Sequence, residues 1–550
     1  MGKLLTKGED FFMKKRLWLT YGCIITLFCG LLFRIYTLSN QYLRTAADKQ
    51  SSVTVTVANV RGTIYDRDGV PLVNSEKEYR ASVIAVPSAL TALSDSMDAT
   101  AFSALSDALQ TGKPAVVSLE NIVSASGISL FQVPVRYSSR VLAPHLIGYM
   151  DADKTEGLVG IEAAYNTLLN GYSGKATATY TVDANGSALG GIAPKLNNTL
   201  TAAKGGLYLT LDADIQRVAE DAAAKYIKKG AVVIMDPTDG AILAMVSLPT
   251  YHPESVADVL QDADSPLLNR ALCSYNCGSV YKLVSAATAL ELGMDVTEKS
   301  NCNGNVTIGS NVFHCHNRLG HGELDLESAL AKSCNCYFIQ LMQNVGGTPL
   351  LRLSERLLFG DAITLCEGIK TAVSVMPSEN TLSAPAALAN LSFGQGELTA
   401  TPVHIATLIS TIVNNGVLCS PHIIKGYTDS DGNFEKAQQT AFSRVFSAQT
   451  AVTLRGMMEK VVSEEGTGAE GQPRYGMAGA KTGTAETGWA PAENEKYAVV
   501  HSWYAGYYTP QEGKTYVIVV FAENAENTEA KTAPVFKKIA DALYKLKDEE

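Results

Sequence analysis

No low-complexity tract and no short-period repeat interrupts these 550 residues, which excludes solenoids and propellers. There is no surplus of positive charge either: 45 lysines and arginines stand against 55 aspartates and glutamates, a formal net charge of -10. A chain without a basic excess has little with which to replace nucleic-acid counterions, so neither DNA nor RNA is expected as a partner. Cysteines are few and scattered. Of the ten, Cys23 and Cys29 sit in an apolar run and the other eight are irregularly spaced, unlike a disulfide-dense secreted scaffold. Cys302 and Cys315 bracket a short segment and are candidates to pair, with free buried thiols as the alternative. His314, His316 and His321 cluster beside Cys315, but no C-x-x-C or H-E-x-x-H spacing accompanies them, so no metal is expected.

Long apolar runs are also scarce, and the single one present is informative. Leu17 to Phe33 carries no charge and follows Lys14, Lys15 and Arg16. At about 1.5 Å of rise per residue it is slightly short for a bilayer core of roughly 30 Å, but Ile35 and Tyr36 extend it and Arg34 can snorkel. The basic flank predicts a single-pass anchor over 17–37, residues 1–16 in the cytoplasm and the remainder outside. A cleaved signal peptide is the competing reading; the run is long for one and no A-x-A site follows.

What is present otherwise is ordinary globular texture, 46% hydrophobic and 18% charged, in a chain too long for one core. Residues 38–205 alternate Val/Thr stretches with turns and Asn/Gly-rich breaks near 183–191 and 195–206, and read as an irregular, β-rich pedestal. A second domain is expected over 206–550. It opens with an Asp212 N-cap and a helical face of Ile215, Val218, Ala219, Ala222, Ala223, Tyr226 and Ile227. A hairpin follows, GAVVIMDPTDGAILAMVSL, with turn chemistry between two β-rich runs. Residues 255 to 460 are mostly helical in pattern, near 283–292, 324–345, 384–391 and 448–462. Strand signals return at 477–484, 497–508 and 515–521, before a final helix over 534–546. The expected class is α+β: an antiparallel sheet built from both ends of the domain, with helices on both faces.

Three polar clusters stand out within this domain. Ser279 and Lys282 are three apart at the start of an apolar helix and so share a face. A serine hydroxyl needs an adjacent base to become a nucleophile, and a buried lysine with a lowered pKa can be that base. Ser333 and Asn335 fall where the helical pattern breaks. Lys481, Thr482, Gly483 and Thr484 lie on a strand, where glycine admits a substrate backbone and the lysine and threonines suit a carboxylate. Alone, each cluster reads more simply as structure: a capping serine with a surface lysine, a serine in a helix-helix turn, and a solvent-facing strand with a glycine bulge.

Together, and in that order, the clusters resemble the three-motif set of penicillin-binding proteins and serine β-lactamases. Arg61 to Gly69 (RGTIYDRDG) is similar to the R-G-x-I-x-D-R-x-G signature of class B pedestals, and HLIG at 145–148 with GLVGIE at 157–162 is similar to a second pedestal signature. FGQG at 393–396 with Thr401-Pro402, and WYAGY at 503–507, match further stretches of the transpeptidase domain. The resemblance implies a five-stranded sheet and a peptidoglycan D,D-transpeptidase without a cofactor. Ser279 would be acylated by the penultimate D-Ala of a stem peptide and trapped by β-lactams, with Lys282 as base and Ser333 and Lys481 assisting proton transfer. Asn335 would hold a substrate carbonyl, Thr482 and Thr484 a carboxylate, and the N-H groups of Ser279 and Thr484 the oxyanion. The membrane and a SEDS-type glycan polymerase are the implied partners. The sequence departs from the family in Cys277, where proline is usual, and in Tyr281, where phenylalanine is usual. A β-lactamase would be smaller and need a deacylating carboxylate; a bifunctional enzyme would need a glycosyltransferase domain; a β-lactam sensor would need more spans and H-E-x-x-H. A catalytically weak scaffold is the non-enzyme alternative. No further domain is expected after Leu546, unlike sporulation-type members that carry one.

Overall fold

The computed structural model describes residues 5–200, 205–429, 431–437, 441–486, 500–511, 513–525 and 531–547. Helix α1 (Leu5–Gln50) contains one segment, Met13–Leu38, long and apolar enough to cross a membrane. By spatial contact the chain forms two units, the first made of 1–60, 77–134 and 174–202, the second of 61–76, 135–173 and 203–550.

In the first unit, Ser52–Val60 pairs antiparallel with Gly174–Thr181, which pairs in turn with Lys195–Asn198. A second three-stranded sheet of Glu76–Val83, Ala115–Leu119 and Ile128–Val135 carries the helices Pro87–Ser94 and Ala99–Leu109. Asp98 caps the latter by accepting from the N-H groups of Thr100 and Ala101.

The second unit is organised by a five-stranded, wholly antiparallel sheet. Strands β1 (Gly230–Met235), β2 (Ile242–Leu248), β3 (Met477–Glu486), β4 (Val500–Thr509) and β5 (Tyr516–Ala525) run in the order β2-β1-β5-β4-β3. The expected start of β4 at 497 lies outside the described residues, as does 201–204 of the expected break. Side chains alternate across the sheet. Val233, Val517, Val519 and Phe521 join a core with helix α5 (Pro402–Val413), while Val232, Ile234, Ile518 and Val520 pack with α2 (Ala213–Tyr226) and α7 (Thr532–Lys547). Covered on both faces, β1 and β2 are buried at every position, which is why they read as continuous apolar runs. As expected, the Asp212 carboxylate accepts from the N-H groups of Asp214 and Ile215 to start α2.

The middle of the unit departs from the mostly helical expectation. Helices α3 (Lys282–Glu291), α4 (Asn335–Val345) and α6 (Ala448–Val462) stand where the pattern places them. Between 300 and 324, however, lie four short strands, among them the hairpin Asn305–Ile308 with Asn311–His314. Its signal is the Gly309-Ser310 turn after the β-branched run Val306-Thr307-Ile308, too short for periodicity to register.

Segments 61–76 and 135–173 meet at a buried ion cluster. Glu162, fully buried, lies 2.7 Å from Arg136 and 3.5 Å from Arg61, and accepts from the Tyr137 hydroxyl at 3.1 Å. The two signatures around Arg61 and Glu162 are thus the two halves of one charge cluster. Replacing Glu162 with glutamine strands two buried guanidinium groups without a counter-charge, and should cost about 3 kcal/mol or more of stability. Calorimetry should show the melting temperature of the variant falling by several degrees; an unchanged transition contradicts this role.

Candidate active site

Ser279 stands in a single 3-10 turn, Gly278–Tyr281, that runs straight into α3. In 3-10 geometry residues three apart eclipse each other, so the serine sits directly against Lys282. The amine donates to Ser279 Oγ at 2.9 Å, to the Ser333 carbonyl at 2.7 Å and hydroxyl at 3.1 Å, and to Asn335 Oδ1 at 2.7 Å. All four acceptors are neutral oxygens and Lys282 is fully buried. Burial pushes its pKa down to about 7, against an opposing pull from the nearby thiols of Cys334, Cys315 and Cys336.

The second cluster reaches this point through a backbone irregularity. Helix Leu326–Ala331 ends, Ser333 adopts a positive φ of 52°, and Asn335 begins α4. That left-handed residue turns the chain so that Ser333 and Asn335 both face Lys282.

Strand β3 is the outermost of the sheet and brings the third cluster. Ala480 packs into the core on one face, so Lys481, its neighbour, points to the other. There its amine donates to Ser333 Oγ at 2.9 Å and to the Thr482 carbonyl at 2.9 Å. Burial and the neighbouring Lys282 charge hold the Lys481 pKa well below the ordinary lysine value. Gly483 is needed for contact: a Cβ there would lie 2.8 Å from Val280 Cγ2 and 2.9 Å from the Cys277 carbonyl oxygen. Gly278, at φ +53°, would bring a Cβ to 2.6 Å from the Thr484 oxygen. The nucleophile turn and the strand are therefore pressed backbone to backbone.

All eight expected residues fall together. Ser279, Ser333, Asn335, Thr482, Gly483 and Thr484 line a cleft of about 980 Å³, and the two buried lysines lie beneath it. Sequence reasoning missed Arg318, an exposed cation on the rim, and Thr467, whose hydroxyl is 3.0 Å from that of Thr482. Neither belongs to a local motif.

The two departures from the family pattern are accommodated. Cys277 is wholly buried, and the Tyr281 hydroxyl meets Ser354 Oγ at 2.6 Å. Because Ser354 also donates to the Leu350 carbonyl at 2.8 Å, Tyr281→Phe strands no obligatory partner. It should change stability by no more than about 1 kcal/mol, measured by thermal unfolding; a larger loss means the phenol has another role.

Cys302 and Cys315 are free thiols. They do not stand as an isolated pair: Cys334, between Ser333 and Asn335, and His321 converge on them, all four donor atoms lying within 4.8 Å of one another. Spacing along the chain gave no sign of this, since the donors come from a strand, two loop positions and a turn.

Residues 230–541 match the family described as the penicillin binding protein transpeptidase domain. Stage V sporulation protein D of Bacillus subtilis is 31% identical over 362 residues, 62% of this chain and 53% of its own length. The peptidoglycan D,D-transpeptidase MrdA of Salmonella typhimurium is 24% identical across 98% of this chain and 97% of its own. Among solved structures, a chain of a peptidoglycan synthase complex that coordinates polymerization and crosslinking aligns with a TM-score of 0.67 at 24% identity, covering 95% of this chain and 98% of that one.

Proposed function

The chain belongs to the family of penicillin-binding protein transpeptidases, and from that premise we propose that it is a class B peptidoglycan D,D-transpeptidase working through an acyl-enzyme on Ser279. The observation that carries this reading is the contact of Ser279 Oγ with a buried lysine amine at 2.9 Å, in a setting that lowers the amine's pKa to about 7. A weak alcohol thereby gains a base matched to neutral pH.

In the first half-reaction the neutral Lys282 amine takes the Ser279 proton as Oγ attacks the penultimate D-Ala carbonyl. The amide bond to the terminal D-Ala breaks. Its nitrogen leaves with a proton relayed by Ser333, whose hydroxyl lies 3.1 Å from Lys282 and 2.9 Å from Lys481. In the second half-reaction the amine of a neighbouring stem peptide attacks the ester, a new amide forms, and the amine's proton returns to serine by the same groups. Asn335 holds a substrate carbonyl, Thr482 and Thr484 the terminal carboxylate, with Gly483 allowing close approach. The Ser279 and Thr484 N-H groups receive the oxyanion, each such donor being worth about 2.7–4 kcal/mol. β-Lactams acylate the same serine and leave slowly.

In this reading residues 17–37 anchor the protein, 1–16 are cytoplasmic, 38–205 form the pedestal and 206–550 the extracytoplasmic transpeptidase domain. The Lys14-Lys15-Arg16 flank supports that orientation. A SEDS-type glycan polymerase is the proposed partner, supported by the shared fold of the synthase-complex chain. Incubating the full chain with a synthetic stem pentapeptide ending in D-Ala-D-Ala should release D-Ala. No release above the Ser279→Ala background sinks the proposal.

A further inference from the structure

We propose that Arg318 binds a side-chain carboxylate on the third residue of the stem peptide, so that the cleft selects stems carrying a diamino dicarboxylic acid there over stems whose third side chain is amidated or ends in an amine alone. This inference rests on the transpeptidase reading and names the substrate class of that same cleft.

The charges lining the cleft are few. Beside the two histidines His314 and His316, the described lining holds one cation, Arg318, and one carboxylate, Glu486 at the end of β3. Glu486 repels a carboxylate, so an anionic group entering the cleft is drawn to Arg318. The arginine is exposed, and its guanidinium makes no ion pair or hydrogen bond among the described residues. Its planar fork of donors is therefore free to take a carboxylate in the paired geometry that a lysine cannot reproduce. The terminal carboxylate of the stem is not the ligand, because Thr482 and Thr484 serve that end.

The position of Arg318 in the chain points to the third residue. Asn335 accepts from Lys282 through Oδ1 at 2.7 Å and donates through Nδ2 to the His314 carbonyl at 3.3 Å. In a stem ending in D-Ala-D-Ala, the carbonyl next upstream of the scissile one belongs to the third residue. With that carbonyl on Asn335, the third residue's side chain branches one bond away, beside the segment that runs from His314 to Arg318. That segment ends in a firmly held turn. The Asn317 side chain donates to the Gly320 carbonyl at 2.8 Å and accepts from the Leu319 N-H at 3.1 Å. The Arg318 carbonyl oxygen lies so close to Gly304 that a Cβ there would stand 2.1 Å from it. The arginine thus projects from a fixed backbone, which lowers the entropy lost when it grips a ligand.

The test measures D-Ala release by the full chain in detergent from four synthetic pentapeptides ending in D-Ala-D-Ala. Their third residue is a diamino dicarboxylic acid with its side-chain carboxylate free, the same residue amidated, or lysine; the fourth peptide keeps the free third-residue carboxylate but is amidated at the α-carboxylate of its second residue, D-glutamate. The free third-residue carboxylate should raise kcat/KM about 10-fold over the amidated and lysine peptides, whatever the state of the second residue. Arg318→Gln should bring the peptides within about 2-fold of one another, and Arg318→Lys should restore part of the preference. The wild-type preference should also shrink as salt rises from about 0.05 M to about 0.5 M, a reading that needs no variant. Equal rates on all four peptides in the wild type, or a preference that survives Arg318→Gln, overturn the inference. A loss of rate on amidating the second residue instead of the third overturns the assignment to the third residue. No D-Ala release from any peptide counts against the transpeptidase reading itself and takes this inference with it, whereas release without discrimination sinks the inference alone.

Discussion

Lys282→Met should reduce the rate of penicillin acylation by about 10²–10⁴-fold, the usual worth of a positioned general base. Methionine keeps the length and apolar stem of the lysine in a fully buried position, so the variant should fold while losing the only amine in contact with Ser279 Oγ among the described residues. The pH dependence follows from the same burial, which holds the amine's pKa down at about 7. Above that pH the amine is neutral and can accept the serine proton; below it the amine is protonated and cannot. In the wild type, acylation should therefore reach a plateau above about pH 7 and fall about 10-fold for each unit below it, and the variant should lose that limb. A wild-type profile flat from about pH 5 to about pH 9 contradicts the assignment of Lys282 as base.

Much of this site was legible because its chemistry is local in sequence. The pair Ser279 and Lys282 needs only one turn of helix, Ser333 and Asn335 a single break in periodicity, and Lys481 to Thr484 one strand. The sheet was legible for a similar reason: β1 and β2 are joined by the Asp236 to Gly240 turn and carry continuous apolar runs. What the sequence did not reveal depends on tertiary convergence. The positive φ of Ser333, which aims both polar side chains at Lys282, leaves no mark in residue type, since serine has no preference for that region. The meeting of Arg61 and Arg136 at Glu162 joins segments about a hundred residues apart. The convergence of Cys302, Cys315, His321 and Cys334 escapes any spacing rule, because the short strands between 300 and 324 fold these donors together. Helix α5, apolar at most positions and rich in β-branched residues, is buried almost throughout, so it lacked the polar face that marks amphipathic helices.

The central claim is that Ser279 becomes covalently acylated, and intact mass spectrometry of the full chain after exposure to benzylpenicillin measures it directly. The wild type should gain the mass of one penicilloyl group, mapped to the peptide carrying Ser279. Ser279→Ala should gain none, because the nucleophilic oxygen on the 3-10 turn is gone and the other hydroxyl beside Lys282, that of Ser333, serves the proton relay. An adduct that persists in Ser279→Ala, or one that maps to another residue in the wild type, contradicts the account.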